Sequence, residues 1–383
     1  MREPRLALVL LTFLVMLSMA LVAFLLARMP QKISEKFDST HRDSPLDGLR
    51  GVLATFVFAH HFYLMHRWSL QGEWAVADNF GLHWMYFAQN LGAIPVSLFF
   101  MITGFLFLNK LKQKEINWKN LYIARIRRIM PLYLLSLLFV VYASFKAVGV
   151  ENVAFWDGAD WLFHWATFRY QPLNGFISFV SNAGVQWTLL YEWGFYFSLP
   201  FIHTAMHQLP ASNKKQWGVM ALCGALFVWI ITQTDTYHYW QFVLSAAAVS
   251  LSDVLLPFIR RYKKWLNVAL PLLLLATAFL FPPYTPINRI LVALLFLLLA
   301  GGYDFGGILR HHGMKMLGDM SYSIYLMHGV VLYSVFALGG WFDFQAHGLL
   351  VYIATFPLIF VLVLLLSCTT YLGVERPFLR KRQ

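Results

Sequence analysis

Between Asp47 and His61 the sequence runs DGLRGVLATFVFAHH: an acid and a guanidinium, an apolar stretch, then two imidazoles. A helix turns about 100° and rises about 1.5 Å per residue, so the step from Arg50 to His61 brings both side chains to one face, about 16 Å apart along the axis. Asp47, one turn before Arg50, falls close to the same face, whereas His60 points about 80° away. An imidazole held in this way can take a proton from a hydroxyl nucleophile. A guanidinium nearer the end of the helix can grip an anionic group in bidentate fashion. The plainer alternative makes His61 a packing residue with a hydrogen-bond partner. At membrane depth, though, ionisable groups are costly unless they meet a cavity or a partner, and an aligned Asp, Arg and His favours function.

The elements that must position these groups are membrane helices. Of 383 residues, 59% are hydrophobic and 13% charged, about half the charge of an ordinary soluble domain. A span needs about 20 mostly apolar residues. Segments centred on 6–28, 48–66, 91–109, 130–148, 187–207, 217–234, 240–258, 266–281, 287–303, 320–339 and 349–373 meet that need, the sixth, eighth and ninth least clearly. The expected fold is an all-α polytopic transmembrane bundle of about ten core spans plus an extra N-terminal span. Residues 1–44 would form a membrane anchor and cytoplasmic linker, and residues 45–383 the catalytic domain. The first apolar run is much longer than the core of a signal peptide, which favours a retained anchor.

The net charge of +12 follows the positive-inside pattern better than any nucleic-acid reading. With Lys110, Lys112, Lys114, Lys119, Arg125, Arg127 and Arg128 on the cytoplasmic side, alternation places Lys32, Lys36, Arg42, Lys214, Lys215, Arg260, Arg261, Lys263, Lys264, Arg310, Lys315, Arg376, Arg380, Lys381 and Arg382 there as well. The C-terminus is then cytoplasmic, at the cost of an outer N-terminus bearing Arg2 and Arg5. The outer segments 67–90 and 149–186 are rich in aromatic and polar residues, which suits a sugar-binding face and equally an interfacial aromatic belt. Cys223 and Cys368 lie in apolar runs and suggest no disulfide framework. Adjacent His311 and His312 diverge on a helix and look like a solvated basic loop, so no metal is expected.

Six motifs, taken in order, make the sequence familiar. "LDGLRGVLATFVFAHHF" resembles the opening Arg, ten residues, His of the membrane acyltransferase-3 family. "SLFFMITGFLFLNKL" resembles its second core span, with Thr103 where Ser is commoner. "RIRRIMPLYLL" is similar to its R-x-x-R stretch, with Arg125 and Arg128 as the pair. "QWTLLYEWGFYFSLP" resembles W-S-L-x-x-E-x-x-F-Y, with Thr188 for Ser. "LGDMSYSIYLMHGVVL" resembles S-Y-x-x-Y-x-x-H, and "VERPF" the closing E-x-P-F. The likeness covers about residues 45–380. No single motif is specific; their order is.

The resemblance implies transfer of an acyl group, usually acetyl, from cytoplasmic acyl-coenzyme A to a hydroxyl of an envelope glycan such as O-antigen or exopolysaccharide. It implies His61, Arg50, Asp47 and Glu192 as catalytic residues. The donor would lie against Arg125, Arg128, Tyr322, Tyr325 and His328, with acetyl-coenzyme A as substrate and no metal. Arginines would meet its phosphates, though such clusters usually only fix topology. Glu192 can accept from the acceptor sugar, pair with an Arg or hold His61; His328 and the tyrosines can equally be packing groups, and Glu375 looks structural. Partners would be acyl-coenzyme A, a glycan or lipid-linked sugar and membrane lipid, without nucleic acid, in a bacterial inner membrane. Some relatives append an esterase-like domain. This sequence stops soon after its last span, so the expectation is that it completes transfer alone or with a separate partner.

Three rivals remain. A transporter or flippase of a glycolipid or small molecule would share the buried ionisable groups, but would tend to show inverted repeats, which the sequence lacks. A glycosyltransferase would use an outer acidic pair, for which Asp157 and Asp160 qualify. A non-catalytic relative is disfavoured by the intact Arg and His.

Overall fold

The computed structural model describes residues 2–37, 44–78, 80–207 and 214–380. The cations Arg42, Lys381 and Arg382, and the side chains of Lys214, Lys215 and Arg380, lie outside the described residues. The protein is all-α, 81% helical, with no strands among the described residues. Its helices are α1 (Arg2–Ala27), α2 (Pro45–Gln71), α3 (Leu82–Leu111), α4 (Trp118–Val148), α5 (Phe155–Ala166), α6 (Trp187–His207) and α7 (Lys214–Thr232). They continue with α8 (Trp240–Leu280), α9 (Pro286–Ala300), α10 (His312–Asp319), α11 (Ser321–Leu332), α12 (Leu349–Ala354), α13 (Phe356–Thr370) and α14 (Arg376–Arg380).

Local chemistry sets the ends of the site helices. Ser44 caps α2 by accepting from the Leu46 N–H, Pro45 occupies its first turn, and Gly72 ends it in the left-handed region at φ 72°. The Asn117 side chain caps α4 by accepting from the Asn120 N–H at 3.0 Å. Proline lies inside α3 at Pro95, α4 at Pro131 and α6 at Pro200, which membrane helices tolerate where neighbours re-satisfy the backbone.

Six helical stretches are long and apolar enough to cross a membrane: Arg2–Ala27, Leu82–Leu111, Trp118–Val148, Thr236–Leu280, Ser321–Leu338 and Phe356–Leu379. Helices α2 and α6 fall short in hydropathy, not in length, because they carry Asp47, Arg50, three histidines and Arg67, and Glu192 among aromatics. The four candidates Asp47, Arg50, His61 and Glu192 thus sit on helices that fail a hydropathy criterion, while Arg125, Arg128, Tyr322, Tyr325 and His328 sit on helices that meet it. One expectation changes. Segments 240–258 and 266–281 are two helical stretches of α8 that meet at a kink, with non-helical backbone at Tyr262 (φ −106°, ψ 16°), rather than at a loop. The intervening Arg260, Arg261, Lys263 and Lys264 are good helix formers and contain no Gly or Pro to open a loop, so a kink forms instead.

The core is built around α2 and α11. Buried residues of α2 and α11 pack with α1, α3, α8, α9, α10 and α13 in one cluster, and α11 also joins α3, α4 and α6 in a second. The N-terminal helix is part of this body: Leu8, Leu11, Val15, Met19, Ala23 and Leu26 form a buried stripe. At one end Arg5 donates to the Phe80 carbonyl at 2.8 Å, which puts the start of α1 beside the 67–90 segment. At the other end Lys263 and Arg310 both pair with Asp304, at 3.1 and 3.3 Å.

Glycines let the backbones of α2 and α10 touch, as is usual between membrane helices. A Cβ at Gly318 would overlap the Asp47 carbonyl oxygen, and one at Gly48 would overlap the Leu309 carbonyl. The expected outcome for Gly318→Ala is a loss of about 1–3 kcal/mol of stability through overpacking, read as a lower melting midpoint in detergent. Gly218→Ala, where a Cβ meets open space, should leave the midpoint unchanged.

Candidate functional site

A cavity of about 620 Å³ opens among α3, α4, α6 and α11 and the first turn of α2. Arg50, Arg125, Arg127 and Arg128 line it together with the acids Glu192 and Asp319. Tyr322, Tyr325, Thr188, Tyr196 and Tyr371 add hydroxyls, and Phe99, Phe100 and Phe107 supply an apolar wall. Six of the nine residues singled out by sequence, namely Arg50, Arg125, Arg128, Glu192, Tyr322 and Tyr325, meet on this one surface although they come from four helices.

Each is held by a defined partner. Arg128 forms an ion pair with Glu375, whose side chain is fully buried, and its guanidinium lies 5.3 Å from the Tyr322 ring centre. Ser323 donates to the other carboxylate oxygen of Glu375 at 2.9 Å, so Glu375 is structural, as its sequence context suggested. The Arg125 guanidinium sits 5.1 Å from the Phe107 ring centre. Glu192 accepts from the Tyr196 hydroxyl at 2.7 Å, one turn on along α6, and its nearest cations are Arg125, Arg50 and Arg128. It bonds to Tyr196 rather than to His61. Tyr322 donates to the Ile129 carbonyl at 2.8 Å, and Tyr325 bonds Thr188 at 2.9 Å and the Val185 carbonyl at 3.2 Å.

Asp47, His61 and His328 do not line the cavity. The first turn of α2 brings Arg50 into it but sets Asp47 against Gly318 of α10. His61 lies three turns further along α2, partly exposed, and its Nδ1 meets the Nε2 of fully buried His328 at 2.9 Å. His328 Nδ1 faces the Ile324 carbonyl at 2.9 Å. The pair lies one turn beyond the cavity, since the Tyr325 ring is 6.4 Å from that of His328. His60 turns away, as its helical phase requires, and bonds the Ala88 carbonyl at 2.9 Å between α2 and α3.

The far side of His61 is aromatic. Trp74 lies 5.9 Å from the His61 ring at 29°, Phe179 lies 6.3 Å from Trp74, and Tyr170, which is exposed, lies 4.8 Å from Phe179. These rings come from the segments 67–90 and 149–186. Asp157 and Asp160 are exposed on α5 and remote from the cavity lining; Asp160 accepts from Gln171 at 2.9 Å. His312 bonds Ser34 at 2.8 Å and so ties α10 to the segment after α1. No group of three metal-ligating side chains occurs among the described residues.

Sequence reasoning missed the His61–His328 contact, the Thr188–Tyr325 bond and the place of Asp319 and Tyr371 in the lining. Only one of the missed links was locally legible: Glu192 and Tyr196 are four apart on a helix and therefore adjacent on its surface.

Long apolar helices packed around a basic cavity and a histidine pair define an integral membrane protein. A family profile described as an acyltransferase domain, that of the acyltransferase-3 family, matches residues 44–372, most of the chain. The chain belongs to the acyltransferase-3 family of membrane proteins. It is 25% identical over 340 residues to nodulation protein 10 of Rhizobium leguminosarum bv. viciae, covering 80% of this chain and 87% of that protein. No solved structure matches it.

The ion pair between Arg128 and Glu375 joins the start of α4 to the end of the chain's last helical stretch. Glu375→Gln should cost about 3–5 kcal/mol by leaving Arg128 uncompensated, and Arg128→Met with Glu375→Leu should recover most of that. Melting midpoints of the three proteins in detergent check this.

Proposed function

We propose that the protein is an O-acyltransferase that moves an acyl group, acetyl in the simplest case, from cytoplasmic acyl-coenzyme A to a hydroxyl of an envelope glycan. The observation that carries the reading is the cavity whose arginine-rich mouth leads, one helical turn past Tyr325, to the His61–His328 pair. Coenzyme A bears phosphates, and guanidinium groups bind phosphate bidentately. Arg125 serves that role best, because it lines the cavity while Arg128 holds Glu375. The apolar wall of Phe99, Phe100 and Phe107 suits the less polar arm that leads to the thioester.

The acceptor approaches from the other side, over the rings of Tyr170, Phe179 and Trp74, whose faces suit the C–H face of a sugar. His61 removes the hydroxyl proton as the oxygen attacks the thioester carbonyl carbon. The carbon–sulfur bond breaks, the thiolate takes the proton back from His61, and the products are an ester and free coenzyme A. Arg50 and Glu192 act at the cavity: Arg50 steadies the anionic part of the donor, three turns along α2 from His61, and Glu192 with Tyr196 sets the field around the arginines. Asp47 has a positioning role at the base of α2. A bacterial inner membrane with a cytoplasmic C-terminus matches this donor. The transporter reading has no specific observation in its favour, and the exposed Asp157 and Asp160 give little support to a glycosyltransferase.

Purified protein in lipid, given labelled acetyl-coenzyme A and an acceptor glycan, should release thiol and form an alkali-labile ester. His61→Ala should lower that rate by about 10²–10⁴-fold while the protein stays folded in the membrane. Full activity in His61→Ala would exclude the assignment. Arg125→Ala should raise KM for the donor by about tenfold or more with little change in kcat, the effect of losing a charged hydrogen bond. Equal losses in kcat and kcat/KM would place Arg125 in the chemistry instead.

A further inference from the structure

We infer that His328 is a positioning residue which fixes the tautomer of His61, so that the Nε2 of His61 carries the lone pair that accepts the hydroxyl proton. The inference rests on the acyl-transfer reading for its purpose, but its structural content can be tested without substrate.

The chain of donors has a fixed direction. A backbone carbonyl only accepts, so the contact between the Ile324 carbonyl and His328 Nδ1 at 2.9 Å puts a proton on that nitrogen. Neutral imidazole carries one N–H, which leaves His328 Nε2 as an acceptor. His61 Nδ1 lies 2.9 Å from that lone pair and must therefore be the donor. His61 in its neutral form then has no proton on Nε2. The charge state follows from the surroundings. His328 is fully buried, and its hydrogen-bond partners are a carbonyl and another imidazole, neither of which would offset a cation.

The ring geometry agrees. The two planes differ by 10° and the centroids are 5.1 Å apart. With the nitrogens at 2.9 Å, that separation describes two coplanar rings whose nitrogens point at one another, the alignment a directional hydrogen bond prefers over face-to-face stacking. The two nitrogens of an imidazole lie on opposite flanks of the ring, so Nε2 of His61 points away from His328. His61 is the more exposed of the two rings and has Trp74 beside it. The free lone pair thus belongs to the ring that substrate can reach, while the ring that substrate cannot reach supplies orientation. Ile324 and His328 are four apart on α11, so the helix itself aims the first link of the chain.

This arrangement also carries the transferred proton. When His61 Nε2 takes the hydroxyl proton, its Nδ1–H stays bonded to His328, which draws off part of the positive charge. The proton then leaves from the same nitrogen to the thiolate, and both rings return to their starting tautomers. His328 exchanges no proton with substrate.

The experiment is solid-state nuclear magnetic resonance of the full-length protein, ¹⁵N-labelled at histidine, in lipid bilayers. The His61 signal is identified by its absence from His61→Asn. The expected spectrum shows a protonated Nδ1 and an unprotonated Nε2 for His61 in the wild type, and loss of that preference in His328→Ala. In kinetics, His328→Ala should lower kcat by about 10²-fold with KM little changed. His328→Gln, whose side-chain carbonyl can accept from His61 Nδ1, should recover at least about tenfold of that loss. A wild-type His61 protonated at Nε2 overturns the inference, as does an unchanged His61 tautomer in His328→Ala. Because the tautomer is read without donor or acceptor, a failure of acyl transfer itself shows separately, as absent thiol release from the wild type.

Discussion

The hydrogen bond between His61 and His328 joins the two helices around which the others are arranged. In hydrocarbon or in a dry protein interior, a polar group without a partner costs several kcal/mol, and a charge costs more. Two imidazoles placed there must satisfy each other or be lost from the sequence. Their mutual bond fixes how α2 and α11 are rotated about their axes. Beside it, Gly51 and Gly318 permit a close backbone approach between α2 and α10, and Gly48 lies against the Leu309 carbonyl just before α10. The order of causes runs from the cost of burial, through the pairing, to the packing of the central helices.

The same constraint explains the cavity. Four arginines line it, and each positive group has to be balanced or wetted. Glu375 is spent on Arg128 and is itself held by Ser323. Glu192 is held by Tyr196 and stands among Arg125, Arg50 and Arg128. The lining therefore combines guanidinium groups with the aromatic wall of Phe99, Phe100 and Phe107. The tyrosines are anchored by backbone carbonyls of neighbouring segments, Tyr322 by that of Ile129 and Tyr325 by that of Val185, which fixes their hydroxyls in the lining.

Much of this was legible in the sequence. Helical phase alone turned His60 away from His61. The order of the motifs named the family. Other parts were not legible. The constellation of Asp47, Arg50 and His61 on one face is only partly realised. A shared face does not mean a shared depth, and three turns separate Arg50 from His61. The loop expected at 259–265 is a kink because its residues favour helix and nothing in them stops one.

Residue type, spacing and local propensity determined the helices, their polar faces and the chemistry each face can offer. Those depend on contacts within a few residues, which periodicity reports. Tertiary structure alone decided the partners. His61 and His328 are 267 positions apart, and Arg128 and Glu375 are 247 apart. No local rule connects such positions. Only the packed bundle brings them within hydrogen-bond distance, and only there does the need to satisfy buried polar groups select one partner for each.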